Sequence, residues 1–310
     1  MVLLFFYGIS CWSQDTVSVG KLNADTIPAN SNRQWLVGGL TVAGYGGSFA
    51  FLSTAWYKDF PRRSFHTFND NGEWLQVDKV GHTWTTYHTS RLTTNLWQWA
   101  GVADKKAVIY GTGTSFLYML SIEYLDGHSV EWGWSWGDVG ANFVGAALFA
   151  GQELGWQEQK VGLKFSSHYK DYRERQLIDR ANDLYGNSFQ GRLLKDYNGQ
   201  TYWLSANIRS FFPKTSLPAW LNISIGYGAD GMFGGYENIG RNKTDGTITF
   251  NRTDIKRYRQ WYLSPDVDLT KIKTNSKLLR AVFSALNLVK FPAPALEFSN
   301  GKLMLKPLAF

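Results

Sequence analysis

Asp78-Lys79-x-x-His82 sets a carboxylate and an imidazole one helical turn apart. Glu123 and Asp126 follow, three residues apart, and then Ser135-x-x-Asp138-x-x-x-Asn142. Histidine with carboxylates can hold a divalent metal and activate water. The same groups can act as a general base and its orienter. Asp78, His82, Glu123, Asp126 and Asp138 are therefore the candidate catalytic residues, and His82, Asp78 and Asp138 the candidate metal ligands. No cofactor other than a divalent metal is expected. The plainer reading makes these residues a buried hydrogen-bonded network that fixes helix register. In it, a carboxylate holds His82, Lys79 pairs with an acid, and Ser135 with Asp138 forms a capping box. His66, His88, His128 and His168 fall outside the pattern and read as surface or core histidines.

Four apolar or amphipathic segments must position these groups. Trp35–Tyr57 has no charge over 23 residues, carries five glycines, and is long enough to span a bilayer or to lie inside a fold. Lys79–Ala100 is a Thr- and Trp-rich helix, too polar to face lipid all round. Ala107–Leu125 is largely apolar, with Glu123 near its end. Gly137–Leu154 has Gly137, Ala141 and Gly145 at four-residue spacing, a stripe that admits a second helix backbone. Together they predict a bundle of about four helices. An ionisable group in an apolar bundle is costly without a partner, so three helices each carrying one predict convergence.

The ordered motifs Asp78-Lys79-x-x-His82, Glu123-Tyr124-Leu125-Asp126-Gly127 and Ser135-Trp136-Gly137-Asp138-x-x-Ala141-Asn142-x-x-Gly145 resemble the YfiM-type family of predicted periplasmic lipoproteins. They are also similar to VanZ-like membrane proteins. The resemblance covers roughly residues 78–155. It implies a small helical envelope module in which Lys79, Ser135, Asn142 and Gly145 are structural motif positions. It implies no established reaction. Glycopeptide response is tied to VanZ-like proteins rather than to anything legible in this chain.

From Val161 the period of the pattern changes from helical to alternating. Val161–Tyr169, Thr201–Phe211, Trp220–Tyr227, Tyr258–Leu269, Ala295–Phe298 and Lys302–Phe310 read as strands. Arg173–Leu184 and Ser276–Leu288 read as helices between them. Asn198-Gly199 and Asn300-Gly301 read as hairpin turns. Gly226–Gly235 has no following P-loop lysine and reads as a flexible loop. The fold class is α+β: a helical bundle, then an antiparallel β-rich segment. That segment either closes as a small outer-membrane barrel or lies as a sheet against the helices. The final Phe310 favours a barrel, whereas Lys306 and Pro307 interrupt the pattern.

Composition agrees with two different halves. Residues 1–156 hold 9 Lys+Arg against 12 Asp+Glu and 11 of the 14 Trp, while residues 157–310 carry +10 of a chain whose net charge is +7. A single cysteine, Cys11, excludes a disulfide framework and thiolate metal sites. Charged residues are 18% of the chain, which with the Trp content suits a membrane interface. The apolar run Met1–Ile9 resembles a signal peptide cleaved near Gln14, giving residues 1–14 as leader, 35–156 as the helical module and 157–310 as the β-rich segment. Lipidation at Cys11 is the alternative fate of that end. The basic residues are scattered, which excludes a nucleic-acid footprint and favours anionic lipid. The reading is an exported envelope protein at the outer membrane or in the periplasm. Its role is structural or in envelope homeostasis, with membrane lipid and outer-membrane proteins as partners. The alternatives are an envelope hydrolase or transferase acting on a lipid or phosphate-bearing substrate, and a subunit of an outer-membrane assembly.

Overall fold

Asn30 opens the first helix, its side-chain oxygen accepting the Arg33 N–H at 3.1 Å. In the computed structural model, which describes residues 30–55, 61–242 and 245–309, proline-free α1 runs Ser31–Ala55. Three more helices follow: α2 (Val77–Trp99), α3 (Asp104–Asp126) and α4 (Trp136–Trp156). The leader, Cys11, Trp56, Tyr57 and Phe310 lie outside the described residues. Helix α2 is rich in β-branched threonine, which lowers helix propensity. Several of its hydroxyls bond back along the helix, Thr86 to His82 O at 2.9 Å and Thr93 to Thr89 O at 2.9 Å. That satisfies them without solvent.

The chain divides into two units. The helical unit comprises the residues up to Asp70, His82–Lys160 and Leu269–Leu286. Within it, Val37 of α1 packs on Leu96 and Ala100 of α2. Tyr45 of α1 meets Thr93 and Ser115 through hydroxyls at 3.3 and 3.4 Å. The interior is thus partly polar. Trp35 and Val42 of α1, Ile109 and Leu117 of α3, and Phe143 and Val144 of α4 are exposed.

The second unit comprises Asn71–Gly81, Val161–Asp268 and the residues from Asn287 on. Six strands form an antiparallel sheet in the order β1-β2-β3-β6-β7-β8. They are β1 (Val161–Ser167), β2 (Gln200–Asn207), β3 (Leu221–Asp230), β6 (Tyr258–Val267), β7 (Ala293–Ser299) and β8 (Lys302–Ala309). A separate pair joins β4 (Ile239–Arg241) to β5 (Ile248–Asn251). Helices α5 (Arg175–Tyr185), α6 (Phe189–Lys195) and α7 (Ile208–Phe211) complete this unit, while α8 (Lys277–Leu286) belongs to the helical one. The mixed α+β class is as expected. No closed barrel forms among the described residues. At the outer edge of β1, Phe165 N–H donates to Leu288 O and Lys290 N–H to Phe165 O, both at 2.9 Å.

Several local expectations are corrected. Asn198-Gly199 is not a hairpin turn: Asn198 is buried, and its side chain accepts the Met232 N–H at 2.7 Å and donates to Met232 O at 2.8 Å. Residues 226–230 of the glycine-rich run are strand, not loop, because bare Gly226 lets the Trp203 ring lie on it, where a Cβ would meet ring carbon Cε3 at 2.7 Å. The strand over residues 201–211 stops at Asn207, whose side chain accepts the Ser210 N–H at 2.9 Å and starts α7. Asn300-Gly301 is the β7–β8 turn, with φ of 53° and 75°.

Candidate functional site

Three helices bring one histidine and two carboxylates together. His82 stands on α2, Glu123 on the last turn of α3, and Asp138 on the first turn of α4. Close backbone approach makes this possible. Gly145 of α4 faces α2 where a Cβ would stand 3.0 Å from the Thr83 carbonyl carbon and 3.1 Å from Tyr87 N. Gly111 of α3 does the same against Thr94, where a Cβ would stand 2.6 Å from Cα. The start of α4 is fixed by Ser135, whose Oγ accepts the Asp138 N–H at 3.0 Å and donates to Asp70 Oδ1 at 2.5 Å.

His82 Nδ1 lies 3.3 Å from Glu123 Oε1 and 3.3 Å from Asn142 Oδ1. Its Nε2 is 3.7 Å from Asp138 Oδ1. Asn142 ties the group together: its Oδ1 accepts the Thr86 hydroxyl at 2.8 Å, and its Nδ2 donates to Glu123 Oε1 at 3.4 Å. Glu123 is 1% exposed and Asn142 0%, whereas the His82 side chain keeps 24% of its surface, so the histidine is the member that solvent reaches. One ligand atom from each of His82, Glu123 and Asp138 falls within 4.8 Å of the others. Two carboxylates and an imidazole are donors suited to zinc or a similar divalent ion. Equally, a carboxylate on one imidazole nitrogen sets the tautomer that leaves the other nitrogen to accept a proton.

Asp78 and Asp126 are the remaining candidates. Asp78 sits one turn before His82 on α2 and accepts from Lys79 Nζ at 3.0 Å. Asp126 ends α3, and its carbonyl accepts the Ser129 N–H at 3.0 Å; its carboxylate is not part of the His82 convergence. Outside the motifs, His88 is buried, while His66 and His128 meet the carbonyls of Gly127 and Arg63. Sequence reasoning missed Thr86 and Asp70. Thr86 carried a signal, being four residues after His82 on the same helix face. Asp70 lies in a loop and carried none.

Residues 67–151 match a family described as predicted periplasmic lipoprotein (DUF2279). That stretch contains His82, Thr86, Glu123, Asp138 and Asn142, so the whole cluster lies in the part of the chain that is similar to a cell-envelope family. No curated protein and no solved structure matches the chain.

Proposed function

We propose that the chain is a membrane-attached protein of the bacterial cell envelope with a structural role. In this reading it resembles YfiM-type and VanZ-like proteins, and the His82 cluster locks three helices in register. The carrying observation is that Thr86, Asn142, Glu123 and His82 form one chain of contacts crossing from α2 to α4 to α3, with Glu123 and Asn142 buried. Polar contacts of this kind set helix pairing where apolar packing alone leaves register open. Membrane attachment is supported by α1, whose segment Ser31–Ser53 has mean hydropathy 1.3 and is only 11% buried. A soluble core helix of that composition would be covered. A second reading rests on the 4.8 Å convergence of His82, Glu123 and Asp138, which would take up a divalent cation.

The test uses the purified full chain in detergent, stripped of metal. The structural reading expects Asn142→Ala and Glu123→Gln each to lower the melting temperature, with no response to added zinc or manganese. The cation reading expects about one equivalent of ion per chain, lost in His82→Ala. Should His82→Ala and Asp138→Ala fold as the parent does yet abolish the envelope phenotype, the structural reading fails.

A further inference from the structure

The six-stranded sheet has its polarity reversed. In a soluble sheet the covered face is apolar and the open face polar. Here the covered face carries Lys164, Ser205, Ser224 and Asp266, and Lys290 reaches onto it from the stretch before β7; all five are buried. Lys164 Nζ pairs with Asp266 at 2.9 Å, Ser205 Oγ donates to Asp266 Oδ2 at 2.6 Å, and Lys290 Nζ lies 4.9 Å over the Trp203 ring. The opposite face is apolar, and it is open except where Val77 covers Tyr202, Tyr227 and Ala229. Leu204, Ile225, Leu263, Leu296 and Leu305 are paired successively across β2, β3, β6, β7 and β8, so they make one aliphatic row. All five are exposed, Leu305 to 71%.

Two residues along each strand, a second row follows on the same face. It reads Tyr202, Tyr227, Trp261, Phe298 and Leu303 in register. Trp261 and Phe298 are exposed, while Tyr202 and Tyr227 pack around Val77. One step further on β6 the face ends in exposed Arg259. Aliphatic side chains, then an aromatic level, then a cation is the order met on passing from acyl chains through the interface to headgroups. Scattered surface leucines would show no such order.

We infer that the outer face of β2, β3, β6, β7 and β8 rests in the acyl chains of a lipid membrane, with Trp261 and Phe298 at the interface level and Arg259 toward the headgroups. The occupant is lipid rather than protein because of the layered order and because the polar groups are gathered on the other side. Strand β8 is the open edge of the sheet. It is blunted by Pro307, which has no N–H, and by Lys306, which is tied to Glu297 Oε2 at 3.2 Å. This contact is separate from the attachment by α1, so either can fail alone.

The experiment places single cysteines at Leu263, Leu305 or Thr253 of the full chain in a Cys11→Ser background, each carrying a polarity-sensitive fluorophore. Thr253 is an exposed loop position and serves as the aqueous control. The protein is reconstituted in phosphatidylethanolamine–phosphatidylglycerol vesicles. Quenching by acyl-chain nitroxide lipid is compared with quenching by aqueous iodide. The inference expects nitroxide to quench the Leu263 and Leu305 labels several-fold more than the Thr253 label, with iodide showing the reverse order. Iodide reaching Leu263 and Leu305 as readily as Thr253 overturns it. Shielding from both quenchers also overturns it, because protein, a second copy or a partner, then covers the face. A label on α1 at Val42 reports whether that helix is inserted, whatever the sheet does.

Discussion

Replacing Gly145 by alanine tests whether the helix triad depends on backbone contact. The added methyl would stand 3.0 Å from the Thr83 carbonyl carbon and closer still to its oxygen. Both atoms are backbone, so no side chain can swing aside, and α2 must retreat from α4 by about 1 Å to restore ordinary contact. Overpacking of this kind costs about 1–3 kcal/mol. The retreat also stretches the 2.8 Å Thr86–Asn142 bond, worth about 1 kcal/mol. Against this stands a gain of about 1 kcal/mol in helix propensity for any Gly→Ala change in a helix interior. Gly151, on the same helix, has nothing within 4 Å of the position its Cβ would take. Gly151→Ala therefore carries the propensity gain alone. The difference between the two variants isolates the steric and hydrogen-bond loss at about 2–4 kcal/mol. Thermal unfolding followed by circular dichroism in detergent should then show Gly145→Ala melting at least about 4 °C below Gly151→Ala. Coincident melting of the two variants would refute the close approach of α2 and α4, and with it the lock.

Other expectations concern the sheet unit. Asp266→Asn leaves Lys164, which is 2% exposed, without its ion partner and should cost about 3–5 kcal/mol by denaturant unfolding. Asn198→Ala should cost about 1–3 kcal/mol for each Met232 backbone group left unsatisfied, far above an ordinary turn substitution, and equality with an exposed-site alanine would contradict the anchoring. Burial, then Lys170, hold the His168 pKa below its ordinary 6.5. The unfolded chain then binds a proton first on acidification, so stability is full above about 6.5 and falls as pH drops through the lower folded value. Stability curves of the parent and His168→Gln should diverge in that window, and parallel curves would remove His168 as the cause.

Helix positions were legible because their signals are local. Residues 79–100, 107–125 and 137–154 were expected, and α2, α3 and α4 run 77–99, 104–126 and 136–156. Asp78, His82 and Asp138 stood out as candidates because each sits one turn from another polar residue on its own helix. Which residues would close the cluster was less legible. Asn142 entered as a motif position, and its role as the link between Thr86 and Glu123 depends on tertiary approach at Gly145. The Asn198-Gly199 dipeptide misled because hairpin statistics assume adjoining strands, whereas here α5 and α6 intervene between β1 and β2. The reversed sheet was visible as alternation but not as sidedness. Period-2 patterning tells which residues share a face and says nothing about which face is covered. Lys164 and Asp266 lie 102 residues apart, and no local signal pairs them.

The most direct measurement is fractionation of the expressed protein, with inner membranes, outer membranes and soluble periplasm separated and the membranes washed in alkaline carbonate. A membrane-attached envelope protein stays in the washed membrane fraction. Full recovery in the soluble periplasm, with the protein folded, would contradict both the insertion of α1 and the lipid-facing sheet.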